Sequence, residues 1–585
     1  MNTLLTILNA KFIHSSLALR CLYTACRRQG VTVETAEYTI NQHAYDILRR
    51  ISKFDADIIG FSCYIWNIEM TCHIISLIKQ VRPQTIVFVG GPEVSYTAEE
   101  ILRAHPDIDY VLQGEGEDMV PAFLQALERG EDGTAVPGVM GRAGGQIQGS
   151  DAYQEVAELD RLPFPYEGQD FSQLDHKIMY YESSRGCPFH CQYCLSGMND
   201  AVRFRSVPLV LQELEQFVAA GVHQVKFVDR TFNCNPAHYR PLLRYMIGVT
   251  GDINFHLEIE PGLLMDEDLE LLAAAPKGRI QMEIGIQSTH EPTLRAIRRH
   301  NDWPRIEHIM ERLLACGNIH LHLDLIVGLP YEDFDHLRQS FNDIYALKPH
   351  KLQIGFLKLL KGSGIRRDYG GDYRYDPQGP YEVLETTWLP YERVRYMKVF
   401  EDVFERTYNS GKFACLLSYV SRIYAKDYFA LYEGLADEWL ALGYDEQALS
   451  DEGLCQFLWR CCRDRLGLTE EQQAVAAELL ALDMQVCFQF RYHAGFLGWQ
   501  EAPREETDAM FRDEEWLRRY VHDYVFTSWR DVKMRCRIWP VGRDTLDELR
   551  RYTAVPEGGA YILAEKRKGG VSWQIVPPKH RAEEL

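Results

Sequence analysis

Residues 183–197 read Ser183-Ser184-Arg185-Gly186-Cys187-Pro188-Phe189-His190-Cys191-Gln192-Tyr193-Cys194-Leu195-Ser196-Gly197. Cys187, Cys191 and Cys194 stand in a C-x3-C-x2-C pattern within one short, loop-like stretch. Three thiolates that close can hold three corners of a cube-shaped iron–sulfur cluster, whose irons take sulfur as their soft ligand. No fourth cysteine lies nearby in the chain, so one iron would stay open to a substrate or cosubstrate. A zinc site using His190 as fourth ligand is the competing reading. His190 directly precedes Cys191, an awkward position for closing a tetrahedron. Three cysteines cannot pair off as disulfides.

With Tyr193 before the last cysteine, the pattern resembles the signature of radical S-adenosylmethionine (SAM) enzymes. The resemblance implies a [4Fe-4S] cluster on Cys187, Cys191 and Cys194, with SAM at the open iron.

The 585 residues are enough for two to four domains. Apolar residues make up 46% and charged residues 25%, ordinary for a soluble globular chain. A net charge of −21 argues against a broad nucleic-acid footprint, which is usually basic. The 15 cysteines form no regular framework, and the first residues do not read as a secretory segment. They are therefore expected to be reduced thiols of a cytoplasmic protein. No apolar run approaches the length of a membrane span.

Residues 1–140 alternate strands and helices. Strands are expected at Thr3–Leu8, Val31–Tyr38, Asp57–Ser62, Thr85–Gly90 and Tyr110–Gln113, and helices at Ser16–Gln29, Ile68–Lys79 and Ala98–His105. This alternation predicts a parallel, doubly wound, Rossmann-like sheet that binds its ligand at the carboxyl ends of the strands. Small and polar residues gather there: Ser62, Gly90, Gly91, Glu93, Gly114 and Glu115. Gly114-x-Gly116 lacks the third glycine and follows a late strand, so a nicotinamide reading fails. The order of these segments resembles the cobalamin-binding domain that precedes many radical SAM domains. A D-x-H-x-x-G pattern is missing, which implies cobalamin held without a histidine beneath cobalt; His14 is the only nearby candidate. A sheet of this kind with no cofactor is the alternative. Residues 141–175, with Leu162-Pro163-Phe164-Pro165, read as a linker.

Residues 176–366 resume the alternation, with six parallel strands expected in a partial (β/α)6 barrel. Three successive strands carry a polar face: His256, Glu258 and Glu260; Gln281, Glu283 and Gln287; His320, His322 and Asp324. Since side chains alternate across a strand and helices must cover the apolar faces, the polar faces point inward. His320-x-His322-x-Asp324 offers metal ligands, but with no second shell in view cavity lining is the preferred reading.

The resemblance to radical SAM enzymes extends over this domain and implies individual roles. Glu258 falls where a third-strand Glu contacts SAM, Gln287 and Ser288 in the fourth-strand ribose motif, and Arg299 where an Arg pairs the methionine carboxylate. Asp324 matches a ribose-binding Asp. Asp229 stands where the family binds the methionine amino group, though in Asp229-Arg230-Thr231 rather than the commoner Gly-Gly-Glu.

Residues 367–585 are expected to be mainly helical, with a small terminal sheet. Helices are read at Tyr391–Asn409, Ser421–Ala441, Asp451–Arg465 and Glu470–Leu482. Cys455, Cys461 and Cys462 lack the spacing of a second cluster.

Together the resemblances imply a cobalamin-dependent radical SAM enzyme that forms a 5′-deoxyadenosyl radical and methylates an unactivated carbon. Rearrangement or cyclisation, and RNA or tetrapyrrole modification, are the alternatives. The implied partners are a small-molecule or peptide substrate and a one-electron reductant such as flavodoxin or ferredoxin.

Overall fold

The computed structural model describes residues 1–578 except 144, 170, 175–176, 199–200, 426 and 523–527. It divides into two compact units, Met1–Val394 and Arg395–Leu585.

The first unit opens with β1 (Thr3–Asn9), α1 (Leu17–Arg28), β2 (Glu34–Thr39), α2 (Ala44–Ile51), β3 (Ile58–Ser62), α3 (Ile68–Val81), β4 (Ile86–Gly90), α4 (Ala98–Ala104), β5 (Tyr110–Leu112) and α5 (Gly116–Glu128). Strands β1 to β5 pair in parallel in the order β2-β1-β3-β4-β5. Every residue of β1 is buried, because helices cover both faces of a parallel sheet. One core packs Leu4, Ile59, Val87 and Val111 against α2, α3 and α4. The other packs Leu5, Ile58 and Phe88 against α1 and α5.

The sheet is longer than its expected parallel part. β6 (Val139–Ala143) pairs antiparallel with β5 and β7 (Gln146–Gly149) with β6, running into the span read as linker from 141. Residues 144, 170 and 175 of that span lie outside the described residues. β2 starts at Glu34 rather than Val31, because the Val31 N–H closes the turn after α1 on the Cys26 carbonyl. Helix α5 was hidden in the sequence by its Gly-Glu-Gly-Glu start and by Pro121.

The second sheet contains β8 (Met179–Tyr181). A short ribbon of β9 (Ser184–Arg185) and β10 (Arg203–Phe204) follows, then α6 (Val207–Ala219), β11 (Gln224–Phe227), α7 (Pro236–Gly248), β12 (Asn254–Glu258), α8 (Asp266–Ala273) and β13 (Ile280–Gln287). After α9 (Glu291–Ala296) and α10 (Trp303–Cys316) come β14 (His320–Val327), α11 (Phe334–Ala346) and β15 (Lys351–Phe356). The order is β8-β11-β12-β13-β14-β15, parallel throughout, with no pairing between the two outermost strands among the described residues. This is the six-stranded partial barrel. Phe255, Leu257, Met282, Ile284, Leu321 and Leu323 are buried at 1% exposure or less, so the apolar faces lie under the helices and the polar faces line the interior.

The second unit is mainly helical. Ser421–Ala441, expected as one helix, is two: Ala414–Ile423 and Tyr428–Ala441. Asp427 starts the second by accepting the Ala430 N–H at 3.3 Å, an N-cap the apolar spacing did not register. Asp451–Asp464 and Glu470–Cys487 follow, and Cys536–Pro540, Tyr561–Arg567 and Gly570–Val576 form an antiparallel sheet. Cys455, Cys461 and Cys462 are buried in the helical core. No helix among the described residues is long and apolar enough to cross a membrane.

Candidate active site

The cysteine loop leaves β8 at the carboxyl end of the barrel. Its base is tied by one carboxylate: Asp229 accepts the Ser183 N–H at 2.8 Å and the Ser183 and Ser184 hydroxyls, each at 2.6 Å. Asp229 has no exposed surface, and burial lifts its carboxyl to about 6. Both oxygens are thus committed to the loop, which departs from the expected contact with a methionine amino group. A Cβ on Gly197 would stand 3.0 Å from His190 Cα, so only glycine lets the loop fold back on itself. His190 Nδ1 donates to the Gly197 carbonyl at 2.9 Å.

Cys187, Cys191 and Cys194 are half-buried free thiols on this loop. Cys187 Sγ lies 3.4 Å from Thr231 Oγ1. The half-buried Tyr193 lies beside Cys191, and Arg299 Nη1 stands 4.0 Å from Cys191 Sγ. Cys234, which follows β11, feels the charge of Cys187, and burial pushes its thiol to about 11. Sequence distance concealed this fourth thiol.

Arg299 is nearly enclosed. Its Nη2 reaches Glu260 Oε2 at 2.7 Å and donates also to the Gly285 carbonyl. In the chain Glu260 belongs to a polar strand face; in the fold it is the partner of the arginine beside the cysteines. Burial raises the Glu260 carboxyl, offset by Arg299.

Gln287 ends β13 at φ 71°, in the left-handed region that a glutamine adopts only under constraint. Its Oε1 is buried without a hydrogen-bond partner among the described residues, an acceptor suited to a donor such as a ribose hydroxyl. Ser288, expected beside it, faces the other way. Its hydroxyl donates to Glu332 Oε1 at 2.5 Å and it has no exposure. Glu332, fully enclosed, is pushed to about 7 by burial.

Deeper in the barrel, Glu283 Oε2 receives Lys226 Nζ at 3.1 Å and His256 Nε2 at 2.9 Å. Those contacts outweigh its burial and hold Glu283 near 2. Burial lifts Glu258 to about 7 and lowers His322 to about 4. Asp324 faces His322, and burial with the nearby Glu283 and Glu258 charges raises its carboxyl well above the usual range. The site is a polar barrel whose rim carries three thiols and an arginine.

Residues 4–124 match the B12 binding domain model, residues 181–344 the radical SAM superfamily, and residues 368–550 a protein family of unknown function, DUF4080. The chain joins a B12-binding domain to a radical SAM domain. It is 26% identical over 331 residues to the cobalamin-dependent radical SAM methyltransferase TokK of Streptomyces tokunonensis, covering 53% of this chain and 48% of that protein. A 2-(S-pantetheinyl)-carbapenam-3-carboxylate methyltransferase of Streptantibioticus cattleyicolor is also 26% identical, over 57% of this chain and 53% of its own length. The chain thus spans about half the length of these curated relatives. In fold it is similar to the cobalamin-dependent SAM radical enzyme OxsB with aqua-cobalamin bound. The TM-score is 0.57 at 14% identity, over 83% of this chain and 80% of OxsB.

In the B12-binding domain several expected contacts are spent on packing. Glu115 pairs with Arg203 at 2.6 Å and with Arg185 at 2.9 Å, and accepts the Val156 N–H. Glu93, 2% exposed, pairs with Lys361 at 2.8 Å and accepts from the Tyr381 hydroxyl. Glu115 therefore latches this domain to the radical SAM domain, and Glu93 to the segment that follows it. Gly91 and Gly114 have φ of 106° and 111°, and a Cβ at either would meet the backbone of Cys63 or Gln154. These glycines serve close chain packing. Ser62 accepts the Asn67 side-chain amide through its carbonyl, and Gly90 accepts the Cys63 N–H through its own. His14 is half-buried and bonds Tyr180 at 2.6 Å.

The order β2-β1-β3-β4-β5 puts the topological switch point between β1 and β3, where sheets of this kind open a crevice. Beyond β3 the rings of Tyr64 and Trp66 stack at 4.4 Å, and Trp66 is 42% exposed. Trp66 Nε1 donates to the Leu8 carbonyl of β1 at 3.3 Å, which fixes the indole across the crevice. Neither residue is a glycine or a carboxylate, so nothing local in the sequence marks the pair.

Proposed function

We propose that this protein is a cobalamin-dependent radical SAM methyltransferase acting on an unactivated carbon of a small molecule or peptide, and that it draws electrons from a flavodoxin or ferredoxin. The carrying observation is Arg299, which stands 4.0 Å from Cys191 Sγ at the open end of a polar barrel. A guanidinium there suits a carboxylate brought to a cluster on Cys187, Cys191 and Cys194. The donor set fits: three half-buried thiols on one tightly folded loop, next to an orphaned acceptor on Gln287. When bound, the cluster supplies one electron for SAM cleavage, and the corrinoid supplies a methyl group.

The chain's own residues position and exclude. Arg299 receives the methionine carboxylate, with Glu260 fixing the guanidinium. Gln287 accepts from the ribose, and Glu258 meets the methionine end from within the barrel. Tyr64 and Trp66 give the corrinoid an apolar platform at the switch point, in place of Glu93 and Glu115. The similarity to TokK supports methyl transfer over other radical chemistry.

The test is anaerobic reconstitution with iron and sulfide in the presence of cobalamin, followed by reduction with SAM. Expected are bound corrinoid, 5′-deoxyadenosine and, with substrate, methyl incorporation from labelled SAM. A reconstituted protein that binds iron yet never cleaves SAM would overturn the reading. Deoxyadenosine without methyl uptake would favour rearrangement or cyclisation.

A further inference from the structure

The floor of the barrel holds Glu283 and His322, which SAM binding leaves unexplained, beside Asp324. Glu283 and His322 are register partners on β13 and β14, and Asp324 lies two residues further along the same face. One ligand atom from each lies within 4.8 Å of the others. His322 Nε2 and Asp324 Oδ1 are 3.4 Å apart. That is too long for a charge-assisted hydrogen bond, which runs at about 2.7–2.9 Å. It matches two ligand atoms each about 2.1 Å from a tetrahedral metal, which stand about 3.4 Å apart. Both atoms are buried and neither has a hydrogen-bond partner among the described residues, and His322 is only 8% exposed.

The sequence offered no second shell for these residues, but the fold supplies one. Lys226 and His256 both bond Glu283 Oε2, which fixes the carboxylate and leaves its other oxygen for a ligand role. Lys226 offsets the charge of Glu283, and a bound dication would offset that of a deprotonated Asp324.

We propose that Glu283, His322 and Asp324 bind one divalent first-row cation with a nitrogen–oxygen preference, such as manganese, iron or zinc, whose open position faces the barrel cavity. The assignment takes Asp324 away from the SAM ribose and gives the cavity an anchor for a carboxylate or hydroxyl of a second ligand.

The test is a manganese(II) titration of the chelator-treated full chain, followed by the electron paramagnetic resonance of the free ion. Manganese(II) favours oxygen and nitrogen donors, so the cluster thiols do not compete. One ion per chain is expected, displaced by zinc(II), with affinity at least about tenfold weaker in Glu283→Gln and His322→Gln. A wild-type chain that binds no manganese(II) at millimolar concentration overturns the site, as does equal binding by both folded variants. Because the titration reads no turnover, its failure would leave the SAM chemistry standing.

Discussion

Arg299 Nη2 lies 2.7 Å from Glu260 Oε2, while the other terminal nitrogen of the same guanidinium is 4.0 Å from Cys191 Sγ. One arginine thus links the third strand of the barrel to the cysteine loop. Removing it has two separable consequences.

Arg299→Ala leaves Glu260 buried and unpaired, which costs about 3–5 kcal/mol for a broken buried pair. Arg299→Lys keeps the charge but loses the fork, and is expected to weaken SAM binding about tenfold or more with a smaller loss of thermal stability. Equilibrium dialysis with labelled SAM and a melting curve separate the two. Unchanged SAM affinity in both variants would remove Arg299 from the site.

The four thiols near the loop should not be equivalent. Alanine at Cys187, Cys191 or Cys194 is expected to abolish the cluster absorbance and SAM cleavage. Cys234→Ala should retain both, since Cys234 lies outside the C-x3-C-x2-C loop. Iron and sulfide content per chain decides it.

Glu332 makes a prediction in pH. Its folded-state carboxyl sits near 7 against an ordinary 4.5, so the folded form holds its proton more tightly. The resulting stabilisation is full below about pH 4.5 and is lost as pH rises through 7, about 3 kcal/mol in all. Glu332→Gln lacks this dependence. The melting temperature of the variant relative to wild type should therefore rise between pH 5 and pH 8, and a difference that falls over that range would contradict the assignment.

Arg185 is two residues from Cys187 and pairs with Glu115, Glu117 and Glu182 at 2.7–2.9 Å, all largely buried. Arg185→Ala strands Glu117 and Glu182, while Glu115 keeps Arg203, and should lower stability by several kcal/mol. Faster cluster loss on exposure to a chelator is the accompanying readout. Retention of wild-type cluster lifetime would show that the loop does not depend on this latch.

Trp66→Ala removes the exposed half of an aromatic pair. Loss of about 1.5–3 kcal/mol of apolar contact predicts corrinoid affinity lower by about 10- to 100-fold. Absorbance titration with hydroxocobalamin measures it, and Glu93→Gln serves as the contrasting variant with little effect on that affinity.

By itself the sequence determined the chemistry that local spacing encodes. C-x3-C-x2-C fixes three thiolates within one loop, and period-two alternation in Phe255–Glu260, Gln281–Gln287 and His320–Asp324 fixes a polar interior, because neighbouring side chains on a strand must face opposite ways. Tertiary structure alone decided which polar groups are already spent. Asp229, Glu93, Glu115 and Ser288 look like ligand contacts in the chain, yet each meets a partner from 41 to 288 residues away. Glu260, Cys234 and Trp66 gained their places in the same manner. A buried polar group must be paired, and sequence order does not say with what; only the packing of β1 against β3, and of one domain on the other within the first unit, selects the partner.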